Sequence, residues 1–252
     1  MRRKAFQVLA PLFGLALFFA AWHITIALIR DDTPMAGYFA PIAALKAAAN
    51  LAANEAIWIH TVDSLRRVFV ALFFALVIGM PIGLLLGVSR LFEQSANLLF
   101  QFLRMVSPLS WMPVAVIALG VGDAPVYFLL AFAASWSIIL NTAAGVKAID
   151  PKWLRLAKSL SATKTEVLLR IIIPAIVDHT LIGVRLAIGI IWIVLVPAEM
   201  LGVQAGLGYF ILDCRDRMDY AELTAAILWI GVLGAILDFF ARFLRRQWHR
   251  RS

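Results

Sequence analysis

Six apolar stretches recur along this chain, each long enough to cross a bilayer as a helix, which takes about 20 residues. They fall at about 7–29, 66–88, 98–120, 125–147, 179–201 and 221–244 of the 252 residues. Hydrocarbon offers the backbone no hydrogen-bond partner, so runs of this length read as helices that satisfy their own amides. The expected fold is an all-α membrane protein with six transmembrane helices, a single membrane domain over 1–252. Composition agrees: 63% of residues are hydrophobic and 15% charged, against about 45–50% and 25% in soluble domains. A mean hydropathy of +0.90 excludes a disordered chain. The single cysteine, Cys214, excludes an intrachain disulfide, and His23, His60, His179 and His249 are too dispersed for a metal site.

The net charge of +8 is a matter of topology before it is one of partners. Basic residues concentrate on one side: Arg2, Arg3, Lys4, Arg90, Lys147, Lys152, Arg155, Lys158, Lys164, Arg170 and the tail from Arg242. The other side holds Arg30, Lys46, Arg66, Arg67, Arg215 and Arg217 among most of the acids. The positive-inside rule then places both termini in the cytoplasm, as an even number of spans requires. Nucleic-acid binding is not the reading of this charge. The first window outruns the 7–15 residues of a signal-peptide core and is read as an uncleaved span.

The loop at 148–178, AIDPKWLRLAKSLSATKTEVLLRIIIPAIVD, is built rather than slack. Asp150 before Pro151 is an N-cap followed by proline at the first helical position. Thr163 with Glu166 is a capping box for a second helix, and Ser161 and Ala162 make the turn between. Pro174 is expected to interrupt the second helix before the next span. Such a loop is a docking element, or an amphipathic hairpin lying on anionic lipid.

These residues resemble the EAA loop of the permease subunits of bacterial ABC importers, whose pattern is Glu-Ala-Ala, three residues, Gly, nine residues, then Ile-x-Leu-Pro. Aligned on Pro174, its isoleucine falls on Ile171, its leucine on Ile173 and its second alanine on Ala157. Its glutamate falls on Arg155 and its glycine on Ser161, so two signature positions differ. The departures resemble the nitrate, sulfonate (taurine) and bicarbonate branch, as do residues 103–123, 139–150 and 183–216. The resemblance implies a coupling helix at about Pro151–Leu160 that sits on a separate P-loop ATPase. Asp150, Pro151, Trp153, Leu156, Ala157, Lys158, Ser159, Leu160, Ser161, Thr163 and Glu166 would carry that contact. It also implies an extracytoplasmic binding protein, a second permease copy in a homodimer, and the bacterial inner membrane. The chain has no Gly-x-x-x-x-Gly-Lys-Ser/Thr. It is read as a transport subunit with no cofactor of its own, ATP and Mg residing on the partner.

Ionisable and polar residues inside spans are the functional candidates. Arg104 is placed about a turn into span three and Arg185 about two turns into span five, both in the cytoplasmic half. Either lines a path for an anion or snorkels to the headgroups. Glu199, beside Pro197, is read as holding a helix break or pairing with a basic residue. Ser107, Ser110 and Trp111 around Pro108, with Ser135 and Asn141 in span four, line a hydrated path or hydrogen-bond neighbouring helices. Gly79, Gly83 and Gly87 form a close-packing face, within the subunit or against a second copy. Gly206 and Gly208 read as part of a re-entrant or interfacial segment. Asp213, Arg215, Asp216, Arg217 and Asp219 would meet a binding protein or form a solvated face. A stand-alone channel or ion-coupled secondary transporter is the alternative, and it lacks an acidic residue at mid-span. An intramembrane enzyme lacks the paired groups its chemistry needs.

Overall fold

A computed structural model describes residues 2–29 and 34–249. These are helical almost throughout, with no strand among the described residues. The chain divides into two compact units, 1–60 with 210–232 and 61–209 with 233–252.

In the first unit, α1 (Arg2–Ile29) covers the first predicted window and is followed by a short turn at Pro34–Phe39. Helix α2 (Pro41–Ala52) starts with proline at N1. Asn54 then caps α3 (Glu55–Val88), its Oδ1 accepting from the Ala56 amide at 3.0 Å. The Trp58 indole donates back to Ala52 O at 3.0 Å and packs edge-on against Trp229.

The second unit positions the site. Helix α4 (Arg90–Met105) leads through a turn at Pro108–Trp111 into α5 (Met112–Leu119). Helix α6 (Asp123–Lys147) crosses the unit, and α7 (Pro151–Ser159) follows. Next come α8 (Lys164–Val167), a π-turn at Leu168–Ile172 and α9 (Ile173–Gly202). Helix α10 (Leu207–Asp216) begins in the second unit and continues in the first, and α11 (Tyr220–His249) begins in the first and ends in the second.

The core of this unit is a seam of α3, α6 and α9. Val68, Ala71 and Ala75 meet Leu129, Leu130, Ala134 and Ile138, while Ala187, Ile191, Leu195 and Ala198 close it from α9. The α9 residues recur at helical spacing and are fully buried. The glycine face of α3 packs within the subunit, against α6. An added Cβ on Gly83 would lie 2.6 Å from Ile139 O and 2.7 Å from Thr142 Cβ, and one on Gly79 would lie 3.0 Å from Ile138. Small residues let two helices approach to backbone contact without a hydrophobic driving force in lipid.

Among the described residues four helices are long and apolar enough to span: α3, α6, the stretch Lys164–Gly202, and α11 through Phe243. A fifth exists if α4 and Pro108–Leu119 count as one span, but these meet at 90°. The window expected at 98–120 is therefore broken within its length. Pro108 drives the residue before it out of the helical region, and Val106 and Ser107 take ψ of 127° and 129°.

Pro174 does not interrupt its helix as expected. The widened π-turn one residue ahead absorbs the missing N–H and the ring, so the helix runs on from Lys164 to Gly202. Span two likewise begins at Glu55 rather than near residue 66, because the polar turn containing Asp63, Arg66 and Arg67 remains helical.

Candidate functional site

Three features at the ends and middle of this helix set carry polar chemistry. The first is a buried charge cluster. Glu199 is fully buried near the end of α9, and Arg67 on α3 is 2% exposed. Arg67 Nη1 donates to Glu199 Oε1 at 2.7 Å and to Ala205 O at 2.8 Å, and its Nε donates to Asp123 Oδ1 at 2.8 Å. Glu199 also accepts from Ser64 Oγ at 2.7 Å and from the Gly208 amide at 2.8 Å, while Ser64 Oγ accepts from the Leu207 amide at 2.9 Å. The Gly208 amide in the first turn of α10 therefore meets a carboxylate, a favourable match of helix dipole and charge. Gly206 permits the turn: its φ is +108°, and a Cβ there would sit 2.5 Å from Glu199 Oε1. Glu199 is thus a clasp joining α3, α9 and the start of α10, and Asp123 adds the start of α6.

The second feature is a pair of adjoining cavities of about 290 and 350 Å3 between α4 and α6, the first reaching Leu86 of α3 and the second Leu186 and Ile190 of α9. Arg104, Trp136 and Leu140 belong to both walls. Helix α4 is amphipathic, and Glu93, Asn97, Gln101 and Arg104 recur every three or four residues to line the first cavity. Lys147 pairs with Glu93 at one end of it. The second continues past Trp136 to Pro108, Ser137 and Asn141.

The third feature is the connection after α6. The Asp150 carboxylate accepts from the Lys152 amide at 2.8 Å, and Pro151 occupies N1 of α7. At the other end the Ala162 amide donates to Ala157 O and the Ser161 amide to Lys158 O, with Ser161 at φ +54°. That is a Schellman cap, whose left-handed position favours glycine. The Thr163–Glu166 capping box follows, complete in both directions. Helix α7 buries Ala157 and exposes Trp153, Leu156 and Leu160 beside Lys152, Arg155 and Lys158. Ser159 Oγ donates back to Arg155 O.

The structure separates the residues expected along a path. Arg104 and Asn141 line the cavities; the Asn141 amide donates to Ser137 O at 2.8 Å. Ser107 and Ser110 are exposed at the bend, outside both walls. Trp111 packs near Phe132 with its indole N–H buried and unpartnered. Ser135 is buried, donates to Phe132 O and lines a separate apolar cavity beside Phe74 and Phe128. Arg185, one residue before Leu186 of the second cavity's wall, is itself outside both walls and pairs with Asp238 at 3.0 Å, and Glu199 belongs to the clasp.

Arg104 lines the first cavity together with Trp136, which lies 13 residues from Asp123 and 11 from Lys147, near the middle of α6. Asn97 and Gln101 were not expected, although their spacing from Glu93 and Arg104 was a readable signal.

Residues 79–251 match the family described as "Binding-protein-dependent transport system inner membrane component". The chain is 33% identical over 195 residues to the bicarbonate transport system permease protein CmpB of Synechococcus elongatus, covering 77% of this chain and 70% of that one. It is 29% identical over 247 residues to the nitrate import permease protein NrtB of Synechocystis, covering 94% and 88%. An inward-facing structure of the MetNI methionine ABC transporter shares the fold, with a TM-score of 0.62 at 17% identity over 77% of this chain and 96% of that one.

Proposed function

The chain belongs to the family of binding-protein-dependent transport system inner membrane components, and we propose that it forms the translocation path of an ATP-driven importer for a small anion. The chain is a multi-pass, all-helical transport subunit and not an ATPase. Nitrate and bicarbonate, named for the relatives, are the solutes proposed here, with a sulfonate such as taurine as a third. In this reading the chain is a single permease domain of six spans in the bacterial inner membrane, with both termini cytoplasmic. Helix α1 supplies the first span, and the bent pair of α4 and Pro108–Leu119 the third.

The observation that carries the reading is α7. A nine-residue helix capped at both ends, with apolar and basic side chains facing outward, is a rigid docking surface. Only Ala148, Ile149 and Asp150 separate it from α6, whose face lines the cavities. Closure of a partner ATPase on ATP and Mg pushes α7, and α6 and the helix beginning at Lys164 move with it. The anion, delivered on the outer side by a binding protein, then crosses between α4 and α6. A second copy completes the path, and the exposed apolar face of α4, with Leu98 and Phe102, is available to it.

Extraction of the tagged chain from its native membrane in mild detergent, followed by mass spectrometry, tests this. A P-loop ATPase at equal stoichiometry is expected. Recovery of the chain alone, where other complexes survive, contradicts the reading.

A further inference from the structure

We propose that Arg104, beside Trp136 where the two cavities adjoin, is the binding point for one singly charged oxyanion, an inference that rests on the anion-import reading and deepens it. A basic side chain without a counter-charge in a membrane protein marks an ion path. Arg185, Arg67, Arg66 and Lys147 each have a carboxylate partner. Arg104 has none among the described residues, and its side chain is open to both cavities.

The Trp136 ring forms the wall beside Arg104, fixed at 5.5 Å from both Phe100 and Phe132, with its Nε1–H buried away from the cavity. The planar guanidinium of Arg104, with its fork of N–H donors, is complementary to a small planar oxyanion. Asn97 and Gln101 continue the donor stripe along α4 towards the Glu93–Lys147 pair. That pair is self-neutralised, so the cavities carry a net charge of one, from Arg104. This favours a monoanion such as nitrate or bicarbonate over a dianion such as sulfate. The site also stands where the two cavities join, so an anion passing between them meets Arg104.

The test is uptake of labelled nitrate, bicarbonate and taurine by the whole transporter in proteoliposomes. Wild type is compared with Arg104→Gln, Arg104→Lys and Arg185→Gln, each checked for copurification with its ATPase. Loss of a charge-assisted contact to the anion predicts at least about a tenfold fall in uptake for Arg104→Gln. Arg104→Lys, which keeps the charge, should retain more. Arg185→Gln, outside the site, should stay near wild type. Wild-type uptake by Arg104→Gln overturns this inference alone. A wild-type transporter that takes up none of the three anions overturns the anion-import reading, and this inference with it.

Discussion

Arg67 and Glu199, 132 residues apart in sequence, meet at 2.7 Å in a buried ion pair that ties α3 to the end of α9. Removing one partner of a buried pair strands the other charge, at about 3–5 kcal/mol. Glu199→Ala should therefore lower the thermal midpoint of the detergent-solubilised protein strongly. Ser64→Ala, which leaves the pair intact, should cost about 1 kcal/mol. Equal midpoints for Glu199→Ala and wild type would show that the clasp contributes nothing.

The turn after α7 makes a prediction of opposite sign. Ser161 holds φ +54°, a conformation that costs a residue with a Cβ about 1 kcal/mol relative to glycine. Ser161→Gly should stabilise the connection, seen as slower hydrogen exchange of the α7 amides. Faster exchange contradicts the Schellman geometry.

Helix–helix approach can be probed at Gly83. A leucine there drives side-chain atoms into Ile139 and Thr142, where even a Cβ is too close, and overpacking costs about 1–3 kcal/mol or more. Gly189, which has nothing within 4 Å of an added Cβ, is the matched control. Thermal unfolding should show Gly83→Leu destabilised and Gly189→Ala unchanged or slightly improved.

Cys214 on α10 is fully buried, and that burial, with Glu222 nearby, pushes its thiol up to about 12. At pH 8 the reactive thiolate is then roughly one part in 10,000. Maleimide should leave Cys214 unmodified in native membranes and label it after denaturation. Rapid native labelling would place Cys214 at the surface.

Local signals were the legible ones. Asp150–Pro151 and Thr163–Glu166 are caps whose partners lie within three residues, so the ends of α7 and α8 could be read directly. Ser161 looked like a lost signature position, yet it keeps the left-handed backbone that a glycine would favour. The glycine face of α3 was visible, but its partner on α6 lies more than 50 residues away, beyond any spacing rule. Counting apolar residues hid the bend at Pro108, because hydropathy is blind to the dihedral limits before proline. For Glu199 the sequence left a helix break and a basic partner open, with nothing to single out Arg67. Arg104 was legible as an ionisable residue in an apolar window, whereas Asn97 and Gln101 were not, because the amphipathic spacing of α4 was not read there.

Coupling is tested at α7. Leu156→Pro breaks the helix, and Lys158→Glu reverses a charge on its exposed face. Both should abolish uptake and ATPase copurification while membrane insertion persists. Normal transport by Leu156→Pro would remove α7 from the coupling route.

The central claim is that this chain passes a small anion inward at the expense of ATP hydrolysed by another subunit. Its most direct measurement is uptake of labelled nitrate and bicarbonate into proteoliposomes holding the purified complex, with binding protein outside and ATP with Mg on the ATPase side. The account predicts accumulation of one of the two that needs ATP and stops when the partner's P-loop lysine is replaced. Accumulation of equal extent without ATP, driven by an ion gradient, would contradict it.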